Sequence, residues 1–348
     1  MGAGSFGTAV AIVLVRAGMR TTLLCRTEEQ AGEMQRERQN RRYLEGVELP
    51  ERLKIRVLGG VDEQFRRADL IFVAVPSSGL SEALAELVRQ GVSPRAGIVS
   101  LAKGLVPPDG TPPSVALETA FGPERVAVVG GPAHAREMVE GGAGLVCASH
   151  APALAEQVAE TFRSARVVCE ASTDPVGVEL AGSAKNAAAL AAGATEQQGL
   201  NAAGMAAADI FTEVLALARS RGARASTFVG RSGVGDLVAT ALAPQSRNRS
   251  AGELLAQGVP AAEIPGRLGQ AVESLETVPL LARAIESAGI QAPITTALAR
   301  LIDGSLPLDE WVALVRVSQP EPSQGVGRFI AWWRRFRARF RRPRAASG

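Results

Sequence analysis

Gly2-Ala3-Gly4-Ser5-Phe6-Gly7 decides the fold. It is a complete G-x-G-x-x-G turn, and the apolar run after it, residues 7–18, reads as a helix. Glycines let the backbone curl tightly and approach a dinucleotide pyrophosphate. The helix N-terminus then offers amide donors and positive dipole to the phosphates. Such a turn normally follows a β-strand, and that strand is missing here. Residues 20–25 read as the next strand. In a doubly wound sheet of order 3-2-1-4-5-6 the first strand is central, so its loss would leave two neighbours unpaired. The expectation is a natural protein that begins a few residues upstream of Met1. Myristoylation does not explain the Met-Gly start, because Phe6 stands where Ser or Thr is required.

Working outward, residues 69–76, 96–101, 126–130, 145–149 and 165–169 are short apolar runs of the kind buried in parallel sheets. Helical patterns at 79–90 and 153–162 separate them. The alternation predicts an α/β layer, a Rossmann-type doubly wound parallel sheet spanning residues 1–173. Ligands bind such sheets at the carboxyl ends of strands. Three polar or glycine-rich segments fall there: Pro76-Ser77-Ser78, Lys103-Gly104-Leu105 and Gly131-Pro132-Ala133-His134. From Asp174-Pro175 strand signals vanish, and an all-α domain is expected over 174–317. Ser172 or Thr173 would cap its first helix, with Pro in the first turn.

The composition agrees with two globular domains: 348 residues, 46% hydrophobic and 21% charged. Cys25, Cys147 and Cys169 sit in apolar runs without metal spacing, so they read as buried thiols in a reducing compartment. No metal is expected. With only His134 and His150, a His-rich metal site is excluded. No signal peptide is expected, and no apolar run reads as both long and glycine-poor enough to span a bilayer. A cytoplasmic protein is expected.

Two segments of the second half carry chemistry. Lys185-Asn186 lies amid small residues. It reads either as a solvated lysine on an amphipathic face or as a partly buried acid/base with a polar neighbour. Ser246-Arg247-Asn248-Arg249 reads either as a polar helix start or as an anion site of hydroxyl, amide and guanidinium. After the second strand an NAD enzyme typically places an acid on the ribose hydroxyl. Here Cys25-Arg26-Thr27 stands there, and a guanidinium suits a 2′-phosphate. NADP(H) is favoured over NAD(H), with dual use allowed; the other reading of Arg26 is a solvent-exposed arginine.

These pieces, with Asn40-x-x-Tyr43-Leu44, Val75-Pro76-Ser77, Glu179-Leu180-x-Gly182, Gly235-Asp236-Leu237 and Val272-Glu273, resemble the bacterial NAD(P)-dependent glycerol-3-phosphate dehydrogenases. The resemblance runs from Gly2 to about Leu314. It implies reduction of dihydroxyacetone phosphate to sn-glycerol 3-phosphate for phospholipid synthesis. By resemblance Lys185 is the acid that protonates the C2 oxygen, with Asn186 and Asp236 orienting it. Lys103, Gly131 and Ala133 would line the substrate pocket, and Ser246, Arg247 and Asn248 would hold the substrate phosphate. Gly2, Gly4, Ser5, Phe6 and Gly7 would meet the cofactor, with Arg26, Lys103, Ala135, Arg247, Ala271 and Glu273 near it.

The sequence departs from the family at Ala133, His134, Ala271, Ser274-Leu275 and residues 196–200; the principal catalytic positions are intact, and the departures leave room for a shifted substrate preference. The alternatives are a related two-domain hydroxy-acid or keto-acid dehydrogenase, or a catalytically weak nucleotide-binding homologue. The adjacency of Lys185 and Asn186 argues against the hydroxy-acid enzymes. A homodimer is compatible with the sequence.

Residues 318–327 read as a linker and 328–348 as a basic aromatic tail with eight arginines and no acid. The net charge is +3, so without the tail the chain is acidic. Phe329, Trp332, Trp333, Phe336 and Phe340 form one helical stripe. That pattern suits a helix lying on an anionic membrane surface. A disordered basic extension or nonspecific nucleic-acid contact fits it as well; no specific nucleic acid is expected.

Overall fold

The glycine turn opens the first helix, Ser5–Arg16, with Gly4 as its N-cap. In this computed structural model the described residues are 1–59, 63–243 and 246–317. The linker and tail expected at 318–327 and 328–348 lie outside them. Residues Met1–Arg316 form one compact unit.

Thr22–Cys25 (β1) follows the first helix. Gln39–Asn40 (β2) and Glu45–Glu48 (β3) form a small antiparallel pair, and Lys54–Val57 (β4) lies parallel to β1. Leu70–Val73 (β5), Gly97–Ser100 (β6), Val126–Gly130 (β7), Gly144–Ala148 (β8) and Val168–Ser172 (β9) make a five-stranded sheet in that order. Burial on both faces explains their apolar sequences: every residue of β6 and β7 is buried.

The place of the central strand lies between β1 and β5, which belong to separate sheets. The backbone of Met1 and Gly2 runs through it. The Met1 ammonium donates to Phe72 O at 2.9 Å, Ala74 N donates to Met1 O at 2.8 Å, and Gly2 N donates to Leu24 O at 3.0 Å. These two residues therefore bond to both flanking sheets.

The sheet corrects one expectation. It is not wholly parallel, because β8 runs antiparallel to β7. Gly131, at φ +102°, turns the chain back, and Gly144 N donates to Pro132 O at 2.9 Å to close the return. The next helix, Pro152–Ser164, restores a parallel crossover to β9. The last strand also begins three residues later than its apolar run suggested.

Beyond β9 the chain is helical. The helix Pro175–Thr195 is buried on nearly every side, which accounts for its alanine-rich sequence. Its N-cap is Asp174, not Ser172 or Thr173. Asp174 Oδ1 accepts from Gly177 N at 2.9 Å, while Ser172 and Thr173 bind the Arg224 side chain. Leu180, Leu190, Ile210, Val214, Leu281 and Trp311 form the core around it.

A further correction concerns Leu200–Ser220, which is long and apolar enough to cross a membrane by length and composition. It packs against the long helix and buries Ile210, Val214 and Leu217. Its Glu213 accepts from Ile294 N and Thr295 N at 2.9 and 2.7 Å, joining it to Pro293–Ile302.

Candidate active site

The site forms where the carboxyl ends of β6 and β7 meet the long helix. Lys103 follows β6 and Gly131 follows β7, while Lys185 and Asn186 lie mid-helix. Asp236 is delivered by the helix Asp236–Leu242, entered through a π-helical turn, Arg231–Gly235. The turn packs tightly: a methyl on Gly233 would run into the Phe228 carbonyl. Such π turns often re-aim side chains at functional sites.

Two lysines share one buried carboxylate. Lys103 Nζ lies 3.0 Å from Asp236 Oδ2, and Lys185 Nζ lies 3.4 Å from Asp236 Oδ1. Lys103 Nζ also donates to Gly131 O at 3.1 Å. Asp236 is 1% exposed and Lys185 7%. Desolvation pulls the Lys185 ammonium below the ordinary lysine range; Asp236 opposes this, and Lys103 adds to it. For Asp236, burial pushes the carboxyl up, but the two ammonium groups outweigh it and hold it below the usual range. The site thus keeps a carboxylate charged while making one lysine readier to give up a proton.

An amide chain extends from these charges. Asn186 Nδ2 donates to Lys103 O and Glu273 Oε2, both at 3.1 Å. Asn248 Nδ2 donates to Asn186 Oδ1 at 2.9 Å, and Asn248 Oδ1 accepts from Ser274 N at 3.3 Å. The approach that allows this is made by glycine. A methyl on Gly252 would meet the Leu190 carbonyl, and one on Gly193 would meet the Arg249 carbonyl. The helix Arg247–Ala256 therefore lies in backbone contact with the long helix, beside Lys185-Asn186.

Ser246 caps that helix, accepting from Arg249 N at 3.4 Å, and no acid occupies its first turn. Arg247 Nη1 donates to Ala271 O at 3.3 Å. Ala133 is buried, and Ala135 begins the short helix Ala135–Glu140. His134 is half-exposed, with Nδ1 3.8 Å from Glu137 Oε1. Arg26 is exposed, with no hydrogen bond or ion pair among the described residues.

The glycine turn fits a dinucleotide. A methyl on Gly2 would strike the Ala74 carbonyl and one on Gly7 the Gly2 carbonyl, whereas one on Gly4 meets nothing within 4 Å. The first and third glycines thus close the turn, and the second faces open space where a phosphate can approach. The first helix has no side-chain cap and no acid in its first turn, which leaves its N-terminal amides for an anion. Lys103 Nζ stands 5.9 Å from the Phe6 ring centroid, so the turn touches the lysine pair. The sequence reading assigned both residues to the site but not this contact. Ser274 entered only as a departure from the family and Thr277 not at all; the buried hydroxyls of both have no partner among the described residues.

A dinucleotide turn facing a lysine–carboxylate cluster at the strand ends defines a nicotinamide-dependent dehydrogenase. Residues 1–157 match the model of the NAD-dependent glycerol-3-phosphate dehydrogenase N-terminus, and residues 174–313 match that of the C-terminus. The chain is 40% identical over 309 residues to glycerol-3-phosphate dehydrogenase (NAD(P)+) of Deinococcus radiodurans, covering 87% of this chain and 90% of that protein. The same enzyme of Methylibium petroleiphilum is 37% identical over 312 residues, covering 88% and 92%. The crystal structure of glycerol-3-phosphate dehydrogenase from Coxiella burnetii superposes with a TM-score of 0.84 at 30% identity, covering 91% of this chain and 97% of that one. The chain belongs to the NAD-dependent glycerol-3-phosphate dehydrogenase family, a family of oxidoreductases.

Proposed function

We propose that this protein reduces dihydroxyacetone phosphate to sn-glycerol 3-phosphate, the precursor of phospholipid synthesis, and runs the reverse oxidation. The observation that carries the reading is the Lys103–Asp236–Lys185 cluster, buried at the strand ends beside the glycine turn. A bound nicotinamide supplies the hydride to the C2 carbon or takes it back.

The remaining work falls to this chain. As the C2 ketone is reduced, negative charge develops on its oxygen. Lys185 Nζ delivers a proton there, because burial already disfavours its charged form. Asp236 holds Lys185 and Lys103 in place. The Lys103 ammonium keeps positive charge beside the developing oxyanion. Asn186 is clamped by Lys103 O, Glu273 and Asn248, so it presents a fixed amide to the substrate. Ser246, Arg247 and Asn248, at a helix start free of acids, hold the phosphate, and that remote contact positions the ketone. Gly131 and Ala133 wall the pocket; Ser5, Phe6, Ala135, Ala271 and Glu273 border the cofactor.

NADP(H) is the preferred cofactor in this reading, supported by the exposed Arg26 guanidinium and the absence of an acid at 25–27. Residues 1–173 would carry the dinucleotide and 174–317 the substrate. The acid-free aromatic stripe of 328–348 favours a membrane-surface role for the tail. The test is consumption of reduced nicotinamide by the full-length protein with dihydroxyacetone phosphate and with free dihydroxyacetone. Turnover of the phosphate ester alone supports the assignment, and equal rates on both would remove the phosphate site from it.

A further inference from the structure

Glu179 is fully enclosed in the long helix, 4% exposed, and takes no part in the lysine cluster. Its carboxyl group reaches a different element. Oε1 accepts from Ser114 N at 2.7 Å, and Oε2 accepts from the Ser114 hydroxyl. Ser114 lies in the first turn of the helix Pro113–Phe121, which has no side-chain cap of its own. A side chain from another helix therefore satisfies that helix start.

The spacing gives this contact a consequence. Glu179 and Asn186 are seven residues apart, which is about two turns, so both project from the same side of the long helix. Asn186 grips the Lys103 carbonyl, and Glu179 grips Ser114. The segment between those points is the loop that carries Lys103 into the site. Its middle is packed by Leu105, which is fully buried, and closed by Val106 N donating to Thr111 O at 2.8 Å. The Lys103 loop is thus strapped to the catalytic helix at both ends.

We propose that Glu179 is a positioning residue for the lysine pair: by gripping Ser114 while Asn186 grips Lys103, it fixes where the Lys103 ammonium stands relative to Lys185. The inference rests on the reading of Lys103 as part of the reacting site. The surroundings of Glu179 agree with a tight, dry joint. Desolvation pushes its carboxyl up to about 8, against the two Ser114 hydrogen bonds, and Glu118 adds to the rise. Glu118, one turn along the same helix as Ser114, is also raised by burial, with His150 Nε2 3.6 Å from its Oε1.

The test is a double-mutant cycle on the full-length protein, read as kcat and KM for dihydroxyacetone phosphate. Glu179→Ala should lower kcat about tenfold, within the range of directly coupled residues, and leave KM little changed. In a Lys103→Ala background the same change should have no further effect. Glu179→Gln keeps an acceptor for Ser114 N and offers a donor to the Ser114 hydroxyl, so it should restore most of the lost kcat. Ser114→Ala leaves the long helix intact and should show the same dependence on Lys103, which covers a poorly folding Glu179→Ala. An equal loss in both backgrounds would overturn the inference alone. Near-normal turnover by Lys103→Ala itself would overturn the reading of the site, and the inference with it.

Discussion

Replacing Asp236 by Asn keeps the shape of the site and removes its one shared negative charge. Two ammonium groups then face each other across a neutral amide in place of a carboxylate. At an effective dielectric of about 20, a unit charge 3.0 or 3.4 Å away interacts by roughly 5 kcal/mol before the opposing desolvation. Because Asp236 is 1% exposed, water cannot replace it. Removing one partner of a buried pair typically costs about 3–5 kcal/mol, so the variant should unfold at a clearly lower temperature. The effect on pH dependence has a definite sign. Asp236 raises the pKa of Lys185, whereas burial and Lys103 lower it. Without Asp236 only the weaker raising influence of Glu273 is left against burial and Lys103, and Lys185 loses its proton at lower pH. Reduction needs the protonated lysine, so the alkaline fall of kcat should begin at lower pH than in the parent. Stability shows the complementary acid-side sign. Asp236 is held below the usual carboxylate range, so its contribution is present above the unfolded value and fades as pH drops through the folded one. Asp236→Asn should lose that acid-side fade. The assay is the initial rate of reduced-nicotinamide consumption with dihydroxyacetone phosphate across pH, with thermal unfolding alongside. An unmoved alkaline limb together with parental kcat would refute the electrostatic account.

Arg247→Ala should raise KM for dihydroxyacetone phosphate and also lower kcat, because the phosphate anchors the ketone; steady-state kinetics showing neither change would remove Arg247 from the anion site. Arg26→Ala should weaken NADPH by about 1.5–3 kcal/mol and leave NADH nearly unchanged, since only NADPH carries the extra phosphate. Equal weakening in direct titrations would exclude Arg26 as its partner. Deleting residues 318–348 should abolish co-sedimentation with anionic vesicles and spare catalysis, as each arginine near such a surface contributes about 1 kcal/mol. Equal partitioning of the two forms would leave a dispensable basic extension.

The glycine turn was legible because its spacing is itself the structural requirement. Gly2 and Gly7 face backbone carbonyls, and Gly4 faces open space. The buried strands were legible as apolar runs, within about three residues of their ends. The reversal at β8 was not, because an apolar strand carries no mark of direction. What sets it is a positive φ at Gly131 and the bond from Gly144 to Pro132. The cap at Asp174 was misplaced by one or two residues, since Ser172, Thr173 and Asp174 are all capping types. In the site, Lys185 is buried, in line with the favoured reading of its sequence context, which also left a solvated face open as the lesser one. Asn248, read as a phosphate ligand, also braces Asn186, a contact 62 residues apart that no local pattern encodes. Glu179 lay within a quoted motif, but its partner Ser114 is 65 residues away. Long-range polar contacts of this kind depend on how helices cross, and a single sequence does not show that.

The central claim is that Lys185 moves the proton to and from the C2 oxygen. The most direct measurement is kcat of Lys185→Ala with dihydroxyacetone phosphate and NADPH, with cofactor binding measured separately on the same protein. Loss of a positioned acid costs on the order of a hundredfold or more, so kcat should collapse while NADPH binding persists. Turnover near the parental rate would contradict the account.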